Sequence, residues 1–115
     1  MSKNWQDAGA AADFPEEGKQ SVKLGAWQVL LLRDGAEWRA YNDCCTHQAS
    51  RLSPGRVRRG AIMCPLHGAR FEVATGRCMG GAYADLRSFP VRENEGRIEV
   101  AVPEEAPGPG ENPVA

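Results

Sequence analysis

The sequence predicts an all-β fold built from short strands. Its 115 residues include 13 glycines and 8 prolines, and turn formers at this frequency leave little room for long helices. Several segments alternate apolar and polar residues, as strands with one buried face do. Between two of these segments lies Asp34-Gly35, a dipeptide that favours the tight turn of a β-hairpin. A chain of this length has room for one domain.

The N-terminal part contains four predicted strands and one helical turn. The strands are Trp5–Ala8, Lys19–Leu24, Trp27–Arg33 and Glu37–Tyr41. Residues 9–14 are predicted as the helical turn, which ends before Pro15 because proline disfavours helix in the residue preceding it. Gly25 is expected to turn the chain between the second and third strands.

The character of the chain changes at Asn42. From there to Ala82, glycines and prolines interrupt every pattern and leave room only for very short strands such as Ala61–Met63 and Arg70–Glu72. We expect a small loop-built subdomain over 42–82, ordered by a bound metal.

Regular patterning returns after this segment. The last predicted strands are Phe89–Glu93 and Arg97–Val102, separated by a turn at 94–96. The segment 103–115 is rich in proline, glycine and glutamate, so it is predicted to be a disordered tail behind one domain spanning 1–102.

Charge and hydropathy exclude several classes of protein. The net charge of −1 predicts no general affinity for nucleic acid. The longest apolar run, Val29–Leu32, is far too short to span a membrane, and the start of the chain has no apolar signal segment. These observations predict a cytoplasmic protein. In that reducing compartment, metal binding explains the four cysteines better than two disulfides.

The strongest motif is a pair of turns that each contain one cysteine and one histidine. Cys45 and His47 are separated by one residue, sixteen residues follow, and Cys64 and His67 are then separated by two. Thiolate and imidazole are ligands of zinc and of iron in iron-sulfur clusters. Two cysteines and two histidines would also complete a tetrahedral zinc site. Zinc fingers pair like ligands within each turn, whereas mixed turns suit a two-iron cluster.

The motif and its surroundings resemble the Rieske family. The run from His67 to Phe71, followed by Ala74-Thr75-Gly76, is similar to soluble Rieske ferredoxins of bacterial aromatic ring-hydroxylating dioxygenase systems, and the resemblance covers residues 5–102. It implies an antiparallel β-sandwich base with the cluster-binding loops inserted as a subdomain.

The resemblance also implies one 2Fe-2S cluster and its ligands. Cys45 and Cys64 would bind one iron through sulfur, and His47 and His67 would bind the other through Nδ1. Cys44 has its own C-x2-H spacing to His47, but the family pattern favours Cys45. The cytosol argues against a disulfide between Cys44 and Cys78.

The residues around the ligands predict a low reduction potential. High-potential Rieske proteins carry an extra cysteine in each loop, which this chain lacks, and place serine and tyrosine hydroxyls where this chain has Ala69 and Phe71. Each missing hydroxyl removes a hydrogen bond that would stabilise the extra electron. We therefore expect a potential on the order of −150 mV.

The function that follows is one-electron transfer without catalysis. Once both histidines bind the cluster, none remains for the mononuclear iron site of an oxygenase. The chain also lacks the G-x-G-x-x-G motif of a dinucleotide-binding reductase. By resemblance, the protein would be a monomeric carrier between an NAD(P)H-dependent flavoprotein reductase and a terminal oxygenase, docking near His47 and His67. The alternatives are the small subunit of an assimilatory nitrite reductase and a structural zinc module.

Positive charge is concentrated in the cluster segment. Residues 44–82 contain six arginines and one glutamate, a charge of +5, whereas the rest of the chain carries −6. The six are Arg51, Arg56, Arg58, Arg59, Arg70 and Arg77. They either steer docking toward acidic partners or form a solvated face, and the sequence leaves both readings open.

Overall fold

The computed structural model describes residues 5–14, 17–34, 37–46, 51–65, 68–80 and 83–108. Within these ranges the chain forms ten strands and one 3₁₀ turn, Ala11–Asp13, so the all-β prediction is confirmed. The strands in chain order are β1 (Trp5–Ala10), β2 (Glu17–Leu24), β3 (Trp27–Asp34), β4 (Glu37–Asn42), β5 (Arg56–Arg58), β6 (Ala61–Met63), β7 (Arg70–Glu72), β8 (Ser88–Phe89), β9 (Val91–Asn94) and β10 (Arg97–Ala101). Among the described residues, no helix has the length and apolar character needed to cross a membrane.

The strands form three antiparallel sheets arranged in layers. Sheet A has the order β1-β10-β9, sheet B the order β2-β3-β4-β8 and sheet C the order β5-β6-β7. Sheets A and B enclose a first core, as the predicted sandwich base requires; it includes Trp27, Val29, Leu31, Trp38, Phe89, Ile98 and Val100. A second core lies between sheet B and sheet C; it includes Leu30, Leu32, Tyr41, Cys45, Leu52, Ile62, Cys64 and Phe71.

Short turns fix the register of the hairpins. Leu24 pairs with Trp27 across a turn that contains Gly25, whose φ of 61° favours glycine. Between β9 and β10, Glu95 and Gly96 have φ angles of 51° and 79°, as a two-residue hairpin turn requires. The predicted hairpin of β3 and β4 is confirmed by the pairing of Asp34 with Glu37, although residues 35 and 36 lie outside the described ranges.

Sheet C is an insertion between two neighbouring strands of sheet B. Ala40 of β4 pairs with Phe89 of β8, and the chain between these two strands contains β5, β6 and β7. Strands β6 and β7 have the predicted limits, whereas β5 and β8 were not predicted. The domain limits of 1–102 and 42–82 stay predictions, and residues 81 and 82 lie outside the described part of the chain.

The beginning of the predicted tail contacts sheet B. The indole Nε1 of Trp27 donates a hydrogen bond of 2.9 Å to the carbonyl of Glu105. The guanidinium of Arg87 lies 4.8 Å from the centre of the same indole and 3.5 Å from the Glu105 carboxylate. Disorder over 103–115 stays a prediction, and residues 109–115 are outside the described ranges.

Candidate metal centre

Two of the four predicted ligands lie in the second core. Cys45 follows the end of β4 and Cys64 follows β6, and each is only 1% exposed. Both belong to one cluster of buried side chains with Leu52, Ile62 and Phe71. Two buried thiols beneath neighbouring loops fit a thiophilic metal centre, because thiolate sulfur is the soft ligand such a centre selects. His47 and His67 lie outside the described residues.

The two other cysteines are also buried. Cys44 is 3% exposed and Cys78 is 2% exposed, and none of the four cysteines, all of which are described, is joined in a disulfide. Cys45 belongs to the second core together with Cys64, whereas Cys44 does not. The choice of Cys45 over Cys44 as the ligand stays a prediction from the family pattern.

The second ligand turn is closed by its own backbone. The amide of Cys64 donates to the carbonyl of Ala69 at 2.7 Å, and the amide of Gly68 donates to the carbonyl of Cys64 at 3.1 Å. Gly68 has a φ of 73°, a conformation that residues with a Cβ rarely adopt. These two hydrogen bonds bring Gly68 and Ala69 back to Cys64, as the predicted tight turn requires, and residues 66 and 67 lie outside the described ranges.

The first ligand turn is held by a carboxylate that sequence analysis missed. Asp43 is 0% exposed, and its Oδ1 accepts hydrogen bonds of 2.8 Å from the amides of Leu52 and Ser53. Its Oδ2 accepts from the hydroxyl of Ser21 at 2.7 Å, and its amide donates to the carbonyl of Gln28. Asp43 therefore fastens the far side of the first loop to strands β2 and β3. The only sequence feature that could have indicated this role is the position of Asp43 two residues before the predicted ligand Cys45.

Two further hydrogen bonds connect the loops to the rest of the chain. The hydroxyl of Thr46, between the two predicted ligands of the first turn, donates to the carbonyl of Ala84 at 2.5 Å. The hydroxyl of Tyr41 donates to the carbonyl of Val73 at 2.6 Å and joins β4 to the loop after β7. Burial raises the pKa of Tyr41 above its ordinary value.

The arginines of the cluster segment differ in their surroundings. Arg77 pairs with Glu72 at 3.1 Å, and this contact lowers the pKa of the Glu72 carboxyl. The other five, Arg51, Arg56, Arg58, Arg59 and Arg70, are exposed. Within the described residues none of these five forms an ion pair.

No group of three or more metal-binding side chains occurs among the residues that the structure describes. The described residues include the two predicted sulfur ligands but neither histidine. The assignment of Cys45, His47, Cys64 and His67 as a ligand set therefore stays a prediction.

Known proteins resemble this chain over most of its length. The ferredoxin component of the naphthalene 1,2-dioxygenase/salicylate 5-hydroxylase systems of Ralstonia sp is 34% identical over 99 residues, covering 85% of this chain and 95% of the relative. The anthranilate 1,2-dioxygenase ferredoxin subunit of Burkholderia cepacia is 32% identical, covering 85% of this chain and 92% of the relative.

Solved structures show the same fold. A chain in the complex of reduced oxygenase and oxidized ferredoxin of carbazole 1,9a-dioxygenase is 30% identical with a TM-score of 0.78, covering 99% of this chain and 100% of that one. The nitrite reductase small subunit of Mycobacterium tuberculosis, described there as putative and NADH-dependent, has a TM-score of 0.77, covering 91% of this chain and 100% of that one. It is 23% identical, so it shares the fold alone.

A family model decides between the zinc and iron-sulfur interpretations. The model of the Rieske [2Fe-2S] domain matches residues 4–90, which include both predicted ligand turns. The match covers well over half of the chain and includes sheets B and C and strand β1 of sheet A. The chain therefore belongs to the Rieske [2Fe-2S] family, whose domains hold one 2Fe-2S cluster.

Proposed function

We propose that this protein is a one-electron carrier that passes electrons from an NAD(P)H-dependent flavoprotein reductase to a terminal ring-hydroxylating oxygenase. The observation that carries the proposal is the burial of Cys45 and Cys64 in one core beneath two loops of a Rieske domain. The relatives named as ferredoxin components match over almost their whole length, which supports a carrier role.

The residues of this chain would bind the cluster asymmetrically. Cys45 and Cys64 would hold it from the buried side, and His47 and His67 would hold it from the other. When bound, a cluster of this kind supplies a one-electron redox step. The buried side chains of Leu52, Ile62 and Phe71 exclude water from the cysteine side. Electron exchange would then take place at the histidine side, where partners dock.

The lack of a third histidine in the sequence supports transfer rather than catalysis. Both histidines of the chain are used as ligands in this proposal, so none is left for a mononuclear iron site. We expect a monomer acting in the cytoplasm, with a potential at the low end of the Rieske range. A fixed subunit of a nitrite reductase is the alternative, and co-purification with a flavin and haem partner from the source cells would favour it.

Metal and sulfide analysis tests the cluster and its ligands. Purified protein should contain about two irons and about two acid-labile sulfides per chain, and Cys45→Ser should lose them. Cys44→Ser is the matched control, since Cys44 is equally buried but lies outside the second core, and it should keep the cluster. Zinc without sulfide, or a cluster lost in Cys44→Ser and retained in Cys45→Ser, would contradict the proposal.

Electron transfer is tested separately. A ring-hydroxylating oxygenase should reoxidise the reduced protein and take up one electron per chain. The visible spectrum of the cluster, recorded in a stopped-flow instrument, measures this reoxidation. A protein that turns over an aromatic substrate by itself, without an added oxygenase, would contradict a pure carrier role.

A further inference from the structure

Four exposed side chains form a row across the outer face of sheet C. Arg56 pairs with Met63, and Met63 pairs with Arg70. Beyond β7 the row is extended by Met79, whose amide donates to the carbonyl of Arg70 at 2.8 Å. Directly opposed residues of antiparallel strands point to the same side of a sheet, so these four residues share one face. We call Arg56, Met63, Arg70 and Met79 the Arg-Met row.

The neighbouring row of residues on sheet C shows which face of the sheet is buried. Ile62 pairs with Phe71, and Phe71 forms a bridge to Cys78. These three side chains are 0%, 0% and 2% exposed and lie in the second core. The Arg-Met row therefore points away from the core and into solvent.

The two methionines are unusual because they remain exposed. Met63 is 38% exposed and Met79 is 39% exposed, although most large apolar side chains of the chain are buried. The exposed large apolar residues of the described ranges are Val57, Met63, Met79 and Tyr83, all within or beside the cluster segment. Met63 and Met79 share one face of sheet C with Arg70 between them, and exposed apolar groups on one face indicate an interaction surface. Methionine is suited to such a surface, because its flexible thioether adapts to different partners.

The two arginines leave positive charge on this face. Neither Arg56 nor Arg70 forms an ion pair within the described residues, in contrast to Arg77, which pairs with Glu72. The two are separated by one intervening strand, which places their backbones about 10 Å apart. Arg56 and Met63 also border a groove of about 820 Å³, whose lining includes Arg58 and Arg59.

The row passes beside the second ligand turn. Met63 directly precedes Cys64 in the chain, and a Cβ placed on Gly68 would lie 3.8 Å from the sulfur of Met63. The Met63 side chain therefore extends toward the residue that follows His67 in the sequence. A partner seated on the row would reach the turn that contains two of the predicted ligands.

We propose that the Arg-Met row is a docking surface for a redox partner with an acidic face. The partner surface would carry carboxylates about 10 Å apart on either side of an apolar patch, matching two arginines around Met63. This proposal rests on the proposed electron-carrier function and specifies where its partner binds. The net charge of the chain is −1, so attraction to an acidic surface must come from a local patch.

A chemically defined surface can replace the unidentified partner. Gold coated with a mixed monolayer of carboxylate-terminated and methyl-terminated thiols presents acidic and apolar groups together. Surface plasmon resonance would measure adsorption of the cluster-loaded protein, and voltammetry on the same surface would measure the electron-transfer rate. We expect the wild-type protein to bind this surface and to bind an amine-terminated monolayer much more weakly.

Charge reversal tests the arginines. Arg56→Glu and Arg70→Glu should each weaken adsorption and slow electron transfer about tenfold at low salt, and the difference should shrink as salt is added. Lys23→Glu is the matched control, because it changes the net charge equally on an exposed part of β2 that lies outside the row. Equal losses in all three variants would mean that only net charge matters and would overturn the proposal.

Polar replacement tests the methionines. The double variant M63Q/M79Q keeps the charge and should weaken adsorption to the mixed monolayer severalfold while leaving the salt dependence unchanged. Unchanged adsorption would show that the two methionines do not contribute to binding, and the apolar part of the proposal would then be wrong.

Iron, sulfide and the EPR spectrum of each variant separate this proposal from the function on which it rests. Variants with an intact cluster and wild-type adsorption overturn the docking surface alone. A wild-type protein without iron and sulfide overturns the carrier function, whatever its adsorption to the monolayer.

Discussion

Asp43 is a single side chain that fastens the first cluster loop to the sandwich. Its carboxylate is fully buried and accepts two backbone amides from the end of the first loop, at Leu52 and Ser53. Its other oxygen accepts from Ser21, whose hydroxyl in turn accepts from the Gln28 side chain at 2.7 Å. A buried carboxylate is retained only when such partners compensate for its lost hydration. The position of the first ligand turn therefore depends on this residue.

Removal of this carboxylate should destabilise the protein strongly. Asp43→Ala leaves two amides without their acceptor and should lower the free energy of unfolding by roughly 2 to 4 kcal/mol. Ser21→Ala removes a smaller part of the same network and should cost about 1 kcal/mol. Chemical denaturation of the cluster-loaded protein, monitored by circular dichroism, measures the loss of unfolding free energy in both variants. Similar costs for the two variants would contradict the central role of Asp43.

The reduction potential should respond to single hydroxyl groups near the cysteines. Ala69 accepts the Cys64 amide through its carbonyl, and Phe71 is fully buried in the same core. Ala69→Ser and Phe71→Tyr introduce donors that would stabilise the reduced state, and each should raise the midpoint potential by on the order of 60 mV, equivalent to about 1.4 kcal/mol for one electron. Voltammetry measures the change, with Ala74→Ser as the exposed control. A fall in potential for both variants would contradict the hydrogen-bond explanation.

At the scale of the element, β3 forms the wall between two cores. Trp27, Val29 and Leu31 point into the first core, whereas Leu30 and Leu32 point into the second. The alternation follows from the two-residue period of a strand. This explains why β3 has an unbroken apolar run, Val29–Leu32, instead of alternating apolar and polar residues.

A glycine after β7 should be required by its contact with β4. A Cβ on Gly76 would lie 2.8 Å from the ring of Tyr41 and 3.3 Å from Leu86, and its φ is 77°. Gly80 has a similar φ of 90° but nothing within 4 Å of such a Cβ. Both alanine variants are destabilised by the left-handed backbone conformation. Only Gly76→Ala also introduces a clash with Tyr41, so it should be less stable than Gly80→Ala by about 1 to 3 kcal/mol. Thermal unfolding of the two variants tests this, and equal stabilities would contradict it.

Tyr41 should make stability fall in alkaline solution. Burial raises its pKa in the folded state above the ordinary value of 10.0, so the unfolded chain releases this proton first. The stability that depends on protonated Tyr41 is fully present below pH 10.0. It is lost as the pH rises through the pKa of Tyr41 in the folded protein. Tyr41→Phe removes the ionisation, so its stability should change less between about pH 9 and about pH 11 than that of the wild type. Urea denaturation at both pH values measures the difference, and parallel losses would contradict it.

The success of prediction differed among elements for physical reasons. Hairpins with alternating residues and a glycine turn were predicted nearly to their limits, as β2–β3 and β9–β10 illustrate. Strand β5 was missed because all three of its residues, Arg-Val-Arg, are exposed and leave no apolar period. The two-residue strand β8 is too short for any period. Asp43 was missed because its role depends on contacts with residues 9 to 22 positions away.

At the scale of the whole molecule, the two cores differ in what stabilises them. The first core lies between sheets A and B and contains no cysteine, whereas the second contains Cys45, Cys64 and Cys78. The sandwich base can therefore be stable through apolar burial alone. The cluster-binding part would depend on the bound cluster, since metal binding and folding are coupled in loop-built sites.

Removal of the cluster should therefore loosen one part of the molecule. In protein stripped of iron, amide hydrogen exchange should become fast in β5, β6 and β7 while β2, β3 and β10 stay protected. Exchange measured by mass spectrometry on loaded and stripped protein gives the comparison. Uniform loss of protection across all three sheets would contradict two separately stabilised cores.

The exposed outer edge of sheet C has a consequence for self-association. Among the described strands none pairs with the outer side of β5, so its backbone groups are open to a second copy. In a symmetric antiparallel pairing centred on Val57, Arg56 of each copy would lie opposite Arg58 of the other. Like charges directly opposite each other oppose such a contact. Arg56 and Arg58 thus prevent the edge strand β5 from pairing with β5 of a second molecule to form a continuous sheet.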